Sequence, residues 1–174
     1  NMKANVYVLV GQYSQEQAHQ VARLMADLGT MAKADYDLGG TGATSYDFAE
    51  LFPVYMDYDK SALYRDRYEY SDSKWHELMK TELQQNRPVI YSGHNEESGH
   101  CFVLDGYTSD DFYSVNWGWG GYCNGYFLLN ALVPSGSGTG GNNDHYNFYQ
   151  SAVTGLMPNQ GGDYVELITL GEKG

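Results

Sequence analysis

Cysteine is nearly absent from this chain. Only Cys101 and Cys123 occur among its 174 residues, so residues 1–99 contain no cysteine. Two cysteines are too few for the disulfide framework that holds many small secreted domains together. Thiol chemistry from the first 99 residues is also excluded.

Basic residues and long apolar runs are scarce as well. Ten Lys and Arg residues stand against 22 Asp and Glu residues, which gives a formal net charge of −12. Such a surface offers little positive charge to neutralise phosphates, so we expect no nucleic-acid partner. No apolar run approaches the roughly 18 residues that span a bilayer, so we expect no transmembrane segment.

The composition of the chain indicates one loop-rich domain with much β-structure. Hydrophobic residues make up 42% of the sequence, enough for a core, and 17 tyrosines and 21 glycines accompany them. Residues 159–174 contain Gly161 and Gly162 and are interpreted as a linker or the start of a following module.

Capping residues and hydrophobic periodicity place the main elements. Ser14 and Gln17 form a capping box before an apolar stripe that Gly29 ends, and a second stripe predicts a helix over residues 73–85. A short helix over residues 46–52 should end before Pro53. Strands are predicted over residues 6–10, 89–93, 100–105, 111–116, 126–129, 150–156 and 164–170, and a long loop over residues 135–147.

Residues 100–105 and 111–116 predict an antiparallel hairpin, because they flank turn-forming residues. With the turn centred on Thr108, His100 lies directly opposite Asn116, and their Cβ atoms are roughly 4.5–5.5 Å apart. The Asn116 amide would then fix the orientation of the imidazole. The other ring nitrogen would face a nucleophile.

The same residues also have a structural interpretation. A histidine on a strand is commonly a packed structural residue, and the run from Trp117 to Gly121 could be only a tight bend. The combination of Gly99 before His100, a facing asparagine and an adjoining tryptophan instead favours a partly dehydrated imidazole. A catalytic base requires such a site.

Longer motifs resemble one family, the streptopain-like cysteine peptidases, a branch of the papain-like thiol peptidases. The resemblance covers roughly residues 1–158, which it implies are the C-terminal part of a papain-like peptidase domain. It is carried by Gly99-His100-x-Phe102-Val103-x-Asp105-Gly106, Phe112-Tyr113-x-Val115-Asn116-Trp117-Gly118-Trp119-Gly120-Gly121, Asn130-Ala131-Leu132-x-Pro134-Ser135 and Tyr149-Gln150-Ser151-Ala152-Val153.

This resemblance implies an α+β, papain-like fold. This chain would supply an antiparallel sheet lobe with packed helices, and the helix that bears the catalytic cysteine would be missing from it. The resemblance also implies endopeptidase activity through a thiolate–imidazolium pair and an acyl-enzyme. His100 would be the general base and acid, Asn116 its orienting partner and Trp117 a shield over their hydrogen bond. No cofactor is expected.

Ser98, Gly99 and Trp119 are the residues that we expect to contact a peptide substrate. Gly99 has no Cβ, so an extended substrate backbone can approach it closely. Ser98 precedes it in a polar loop, and Trp119 lies in the aromatic turn that follows Asn116.

The nucleophilic cysteine is missing from its expected place in this chain. Papain-like enzymes carry it before the histidine, at a helix N-terminus that lowers the thiol pKa. Cys101 should face the core with Val103 and Val115, because side chains alternate along a strand. Cys123 is interpreted as a small buried hydrophobe or a disulfide partner.

Two explanations for the missing cysteine remain. Either an N-terminal chain of the same processed precursor carries it, or the chain is a pseudopeptidase. Residues 1–5 contain no initiator methionine at position 1 and no signal-peptide pattern, which favours the processed precursor. We also expect a secreted or bacterial cell-surface protein, because loop-rich, tyrosine-rich chains are common among them.

Three other interpretations fit the sequence less well. His94, Glu96, Glu97 and His100 could be imagined as a metal site, but a loop does not fix ligand spacing, and we predict no metal. The glycine-rich segment 39–42 lacks the lysine and the preceding strand of a phosphate loop. A non-catalytic extracellular module that binds carbohydrate or protein would also explain the aromatic content, but it would not need His100 to face Asn116.

Overall fold

A computed structural model of the chain describes residues 13–38, 40–134 and 145–161. The strands predicted over residues 6–10 and 164–170 lie outside these residues, as does most of the loop predicted over residues 135–147. The proposed boundary at residue 158 stays a prediction.

Three α-helices and eight strands occur in the described part of the chain. The helices are α1 (Gln15–Met31), α2 (Phe48–Tyr55) and α3 (Asp72–Gln84), and a 3-10 turn spans Arg67–Glu69. The strands are β1 (Asp35–Asp37), β2 (Gly40–Gly42), β3 (Leu63–Asp66), β4 (Val89–His94), β5 (Gly99–Tyr107), β6 (Tyr113–Asn116), β7 (Gly125–Phe127) and β8 (Phe148–Thr154).

Six strands form one antiparallel sheet in the order β3-β8-β4-β5-β6-β7, and β1 pairs with β2 separately. Helix α3 covers one face of this sheet through Trp75 and Met79, which are fully buried. Their partners in the core come from four strands and are Val89, Tyr91, Phe102, Leu104, Tyr113, Val115 and Ala152. The α+β class predicted from the sequence is confirmed.

Helix starts were predicted more accurately than helix ends. The Ser14 hydroxyl accepts a hydrogen bond from the Gln17 amide at 3.2 Å, and the Gln17 side chain accepts one from the Ser14 amide. Gly29 does not end α1, however. A Cβ there would lie 1.8 Å from the Tyr36 hydroxyl, so Gly29 makes room for that side chain.

The predicted end of α2 before Pro53 was also wrong, since the helix runs from Phe48 to Tyr55 with Pro53 inside it. Proline removes its own N–H from the ladder and crowds the carbonyl four residues earlier. Backbone hydrogen bonds on either side, from Leu51 to Asp47 and from Met56 to Phe52, keep this short helix intact.

The predicted register of the β5–β6 hairpin is wrong. Asn116 pairs with Val103 and not with His100, and Leu104 pairs with Val115. Two features cause the difference. The turn is closed by a hydrogen bond from Thr108 N to Phe112 O at 2.8 Å, so its centre lies later than Thr108. A β-bulge between Leu104 and Gly106 then moves the pairing back by one residue, so that Val103 and not Leu104 lies opposite Asn116.

The faces of β5 are likewise reversed from the prediction. Phe102 and Leu104 are buried, and Val115 is buried opposite Leu104, on the same face as His100. Cys101 is exposed and lies on the other face with Val103. The prediction that Cys101 points into the core is therefore wrong, because the shifted register gives the core to the even-numbered residues.

Candidate active site

His100 lies near the start of β5, beyond the end of β6, where the turn after Asn116 comes back over it. The His100 Nε2 atom is 2.8 Å from the backbone carbonyl oxygen of Trp117. A carbonyl can only accept, so this hydrogen bond places the proton of the neutral imidazole on Nε2. Nδ1 is then the nitrogen that can take a proton from another group.

Aromatic rings enclose the imidazole. Trp119 stacks on it with 4.9 Å between ring centroids, and Tyr146 lies at 5.4 Å. Phe102 and Trp117 follow at 6.1 Å each. Desolvation by these rings lowers the pKa of His100, although the Trp117 carbonyl acts in the opposite direction. Burial therefore favours the neutral form of the ring.

The turn after β6 fixes the position of the Trp117 carbonyl. The Trp117 amide donates to Asn124 Oδ1 at 3.1 Å, and the Trp117 side chain is fully buried. Gly118, Gly120 and Gly121 have positive φ angles, a conformation that glycine adopts without strain. The glycines of the Trp-Gly-Trp-Gly-Gly motif thus let the chain turn back across His100.

Asn116 does not orient the imidazole through its amide. Its Oδ1 accepts a hydrogen bond from the Gly118 amide at 3.0 Å, and its partner Val103 lies three residues from His100. Because side chains alternate along β5, the His100 ring and the Asn116 amide project from opposite faces of the sheet. The predicted cross-strand pair is wrong, and a backbone carbonyl one residue later contacts the ring instead.

Ser98 and Gly99 stand directly before His100, as the sequence requires. Asn95 Oδ1 accepts hydrogen bonds from the amides of Glu97 and Ser98, which makes a tight turn between β4 and β5. A Cβ on Gly99 would lie 2.5 Å from the His94 ring. The absence of a side chain at residue 99 is therefore explained by the packing of His94, and contact with substrate stays a prediction.

Tyr146 is the site residue that the sequence pattern missed, because it lies in a segment predicted to be a polar loop. It is buried at 1% exposure and packs against His100. A Cβ on Gly93 would lie 2.1 Å from the Tyr146 carbonyl oxygen, so a glycine in β4 is what allows Tyr146 to come this close. A single large aromatic within a Gly- and Asn-rich run was the available signal.

Cys101 does not supply an activated thiol. Cys101 lies on the sheet face opposite His100, and although the residue as a whole is exposed, desolvation of its thiol raises the pKa to about 11. A nucleophilic cysteine needs the opposite shift. Cys101 and Cys123 form no disulfide with each other.

Two further findings concern the described residues alone. They contain no group of three or more His, Cys, Asp and Glu side chains arranged to hold a metal ion. None of their helices is long and apolar enough to cross a membrane.

Similar proteins are known by sequence. Streptopain of Streptococcus pyogenes is 40% identical over 148 residues, which cover 85% of this chain and 37% of streptopain. The thiol protease/hemagglutinin PrtT of Porphyromonas gingivalis is 34% identical over 145 residues, 83% of this chain and 17% of that protein. The chain thus spans well under half the length of either relative.

Solved structures agree with these relatives. Active interpain A, a cysteine protease of Prevotella intermedia, superposes with a TM-score of 0.73 at 32% identity, covering 84% of this chain and 60% of the other. A prointerpain A fragment superposes with a TM-score of 0.67 at 33% identity, covering 85% and 45%. The fold is therefore that of the papain-like cysteine proteases. The peptidase C10 family matches residues 1–127, and this chain belongs to that family.

Proposed function

We propose that this chain is the histidine-bearing part of a secreted or cell-surface cysteine endopeptidase. The observation that carries the proposal is the hydrogen bond between His100 Nε2 and the Trp117 carbonyl, which leaves Nδ1 to act as the base. The chain has no cysteine before residue 101. We assign the nucleophile to a separate N-terminal chain of the same processed precursor.

The assigned roles follow from the contacts. His100 is the general base and acid, and the Trp117 carbonyl orients it. The stacked rings of Trp117 and Trp119 keep water from the Nε2 hydrogen bond. Asn116 acts indirectly, by holding the turn through the Gly118 amide. Trp119 stacks on the ring, and Ser98 and Gly99 directly precede His100 in the chain; we assign all three to substrate contact.

The reaction proceeds in two halves. Nδ1 of His100 takes the thiol proton, and the thiolate attacks the peptide carbonyl to form a tetrahedral intermediate. His100 returns that proton to the leaving amine, which breaks the peptide bond and leaves an acyl-enzyme. Water then attacks the acyl group while His100 again takes and returns a proton. The oxyanion is stabilised by the cysteine backbone amide and a donor on the N-terminal chain.

A precursor is supported by the name of one structural relative, prointerpain A, which denotes a pro-form. The thiol protease names of the relatives support the reaction class. Because the chain covers only part of these proteins, peptide cleavage by the assembled enzyme is our proposal. Intact-mass measurement of native material should find a second, smaller polypeptide whose cysteine is alkylated by iodoacetamide.

Substitution of His100 tests the assignment. His100→Ala, in the enzyme assembled with its N-terminal chain, should lower thiol-dependent cleavage of a fluorogenic peptide by about 10⁴-fold or more. Asn116→Ala should lower it by no more than about tenfold, since it loses one hydrogen bond of a turn. His19→Ala, on the exposed face of α1, is the matched control. Full turnover by the His100→Ala enzyme would reject the assignment.

A non-catalytic binding module is the second candidate. The observation in its favour is a set of exposed aromatic side chains, including Tyr68 and Tyr149, whose rings lie 6.2 Å apart. Such rings stack on sugars or on partner proteins. Native material that contains one chain and no alkylatable second polypeptide would favour this candidate over the peptidase.

A further inference from the structure

A buried amide lies behind the candidate active site. Gln150 of β8 is 6% exposed, and its side chain makes three hydrogen bonds. Nε2 donates to the carbonyl oxygens of Leu129 at 2.5 Å and Tyr146 at 3.3 Å, and Oε1 accepts from the Tyr91 hydroxyl at 2.9 Å. The donors and the acceptor of one side chain are all used.

This amide belongs to a longer chain of hydrogen bonds. The Trp75 indole N–H of α3 donates to the Tyr91 hydroxyl at 2.9 Å, and that hydroxyl donates in turn to Gln150. Helix α3, strand β4 and strand β8 are therefore joined inside the core. Buried polar groups that are fully satisfied in this way specify one arrangement of the backbone, because any other arrangement leaves a group unpaired.

Tyr146 links this hydrogen-bond chain to His100, because it contacts both Gln150 and the imidazole. Its amide donates to the Leu132 carbonyl at 2.9 Å, and its carbonyl accepts from Gln150, so its backbone is held on both sides. Its ring lies 5.4 Å from the His100 ring, and its carbonyl fits against Gly93. Tyr146 therefore has little freedom to move away from the imidazole while Gln150 is in place.

We propose that Gln150 is a positioning residue for His100, which it influences by fixing the Tyr146 backbone and through it one wall of the imidazole site. This inference rests on the proposed function only where turnover is measured. A core residue that merely filled space would be served equally well by methionine, which has a similar length and no hydrogen-bonding amide. A positioning role for Gln150 requires both the donor and the acceptor of its amide, whereas a space-filling role requires neither.

The first test compares Gln150→Met with Ser151→Ala. Ser151 is the next residue of β8 and is buried at 3%, and its hydroxyl bonds Ser92 at 2.6 Å on the other face of the sheet. Gln150→Met should shift the imidazole NMR signals of His100 in the isotopically labelled chain, and Ser151→Ala should not. In the assembled enzyme Gln150→Met should lower kcat about tenfold to hundredfold with little change in KM, as a misplaced catalytic group does.

Unchanged His100 signals and unchanged kcat in a folded Gln150→Met protein would overturn the proposal. If that variant does not fold, Tyr91→Phe decides, because it keeps the ring and removes only the hydroxyl, which donates to Gln150 and accepts from Trp75. It should shift the His100 signals in the same direction and lower kcat about fivefold, the factor expected for one hydrogen bond. Unchanged signals in Tyr91→Phe would also overturn it. Absence of turnover in the wild-type enzyme would reject the proposed function, whereas the NMR comparison would still decide the role of Gln150.

Discussion

Replacement of Gly93 by alanine should separate Tyr146 from His100. A Cβ at residue 93 would lie 2.1 Å from the Tyr146 carbonyl oxygen and 3.0 Å from its carbonyl carbon. Both contacts are with backbone, so no side-chain rotation relieves them, and one backbone segment must move by about 1 Å to reach an ordinary contact distance. Gln150 and Leu132 resist that movement, since each hydrogen-bonds the Tyr146 backbone.

Two quantities should change in Gly93→Ala. Overpacking of this kind costs about 1–3 kcal/mol in the free energy of unfolding, which urea titration followed by tryptophan fluorescence measures. A displacement of about 1 Å at a catalytic site lowers kcat by about 100-fold, which the fluorogenic peptide assay measures in the assembled enzyme. Both effects have one cause, so they should occur together.

Gly106→Ala is the matched control. Gly106 lies in the neighbouring strand β5, and its added Cβ would meet Ser114 Cβ at 3.5 Å, an ordinary contact. This variant should change the free energy of unfolding by less than about 1 kcal/mol and leave kcat unchanged. If Gly93→Ala behaved like Gly106→Ala in both assays, the close approach of Tyr146 to β4 would be refuted as a requirement of the site.

The remaining predictions concern stability. Because burial lowers the pKa of His100 below its ordinary value near 6.5, the unfolded chain binds the extra proton first, and stability should fall as the pH decreases from about 6.5 through the folded-state pKa. The free energy of unfolding, measured by urea titration between pH 5 and 8, should depend less steeply on pH in His100→Gln than in His19→Gln. Equal pH dependence in the two variants would contradict the lowered pKa of His100. Glu82→Ala should cost about 3 kcal/mol in urea unfolding, because Glu82 is 6% exposed and accepts from Arg87 at 2.7 and 2.8 Å and from the Gly155 amide. A loss below 1 kcal/mol would contradict this.

Local signals in the sequence were sufficient to predict several helices and strands. The capping box of Ser14 and Gln17 involves residues three apart, so its two hydrogen bonds depend on nothing distant. The apolar spacing of Trp75 and Met79 predicted α3 and the face that it buries. The family resemblance predicted that His100 and the aromatic turn after Asn116 belong to the site. The fold that it implied is confirmed by the solved relatives.

The relation of His100 to Asn116 could not be predicted from spacing. A one-residue bulge reverses which side chains share a face, and nothing in residues 104–106 marks the bulge except a glycine that many strands contain. The group that orients the ring is a backbone carbonyl, which every residue carries. Side-chain types alone therefore point to the nearest amide side chain, that of Asn116, as the orienting group.

The way His100 is held also bears on why a thiol partner is needed. Within this chain the imidazole is surrounded by aromatic rings and receives only a carbonyl on Nε2, so the neutral form is favoured. A thiolate about 4 Å from the ring would favour the charged form by about 4 kcal/mol at an effective dielectric constant of 20, which exceeds a modest desolvation penalty. In the enzyme that we propose, the reactive ion pair is therefore a property of the assembled site.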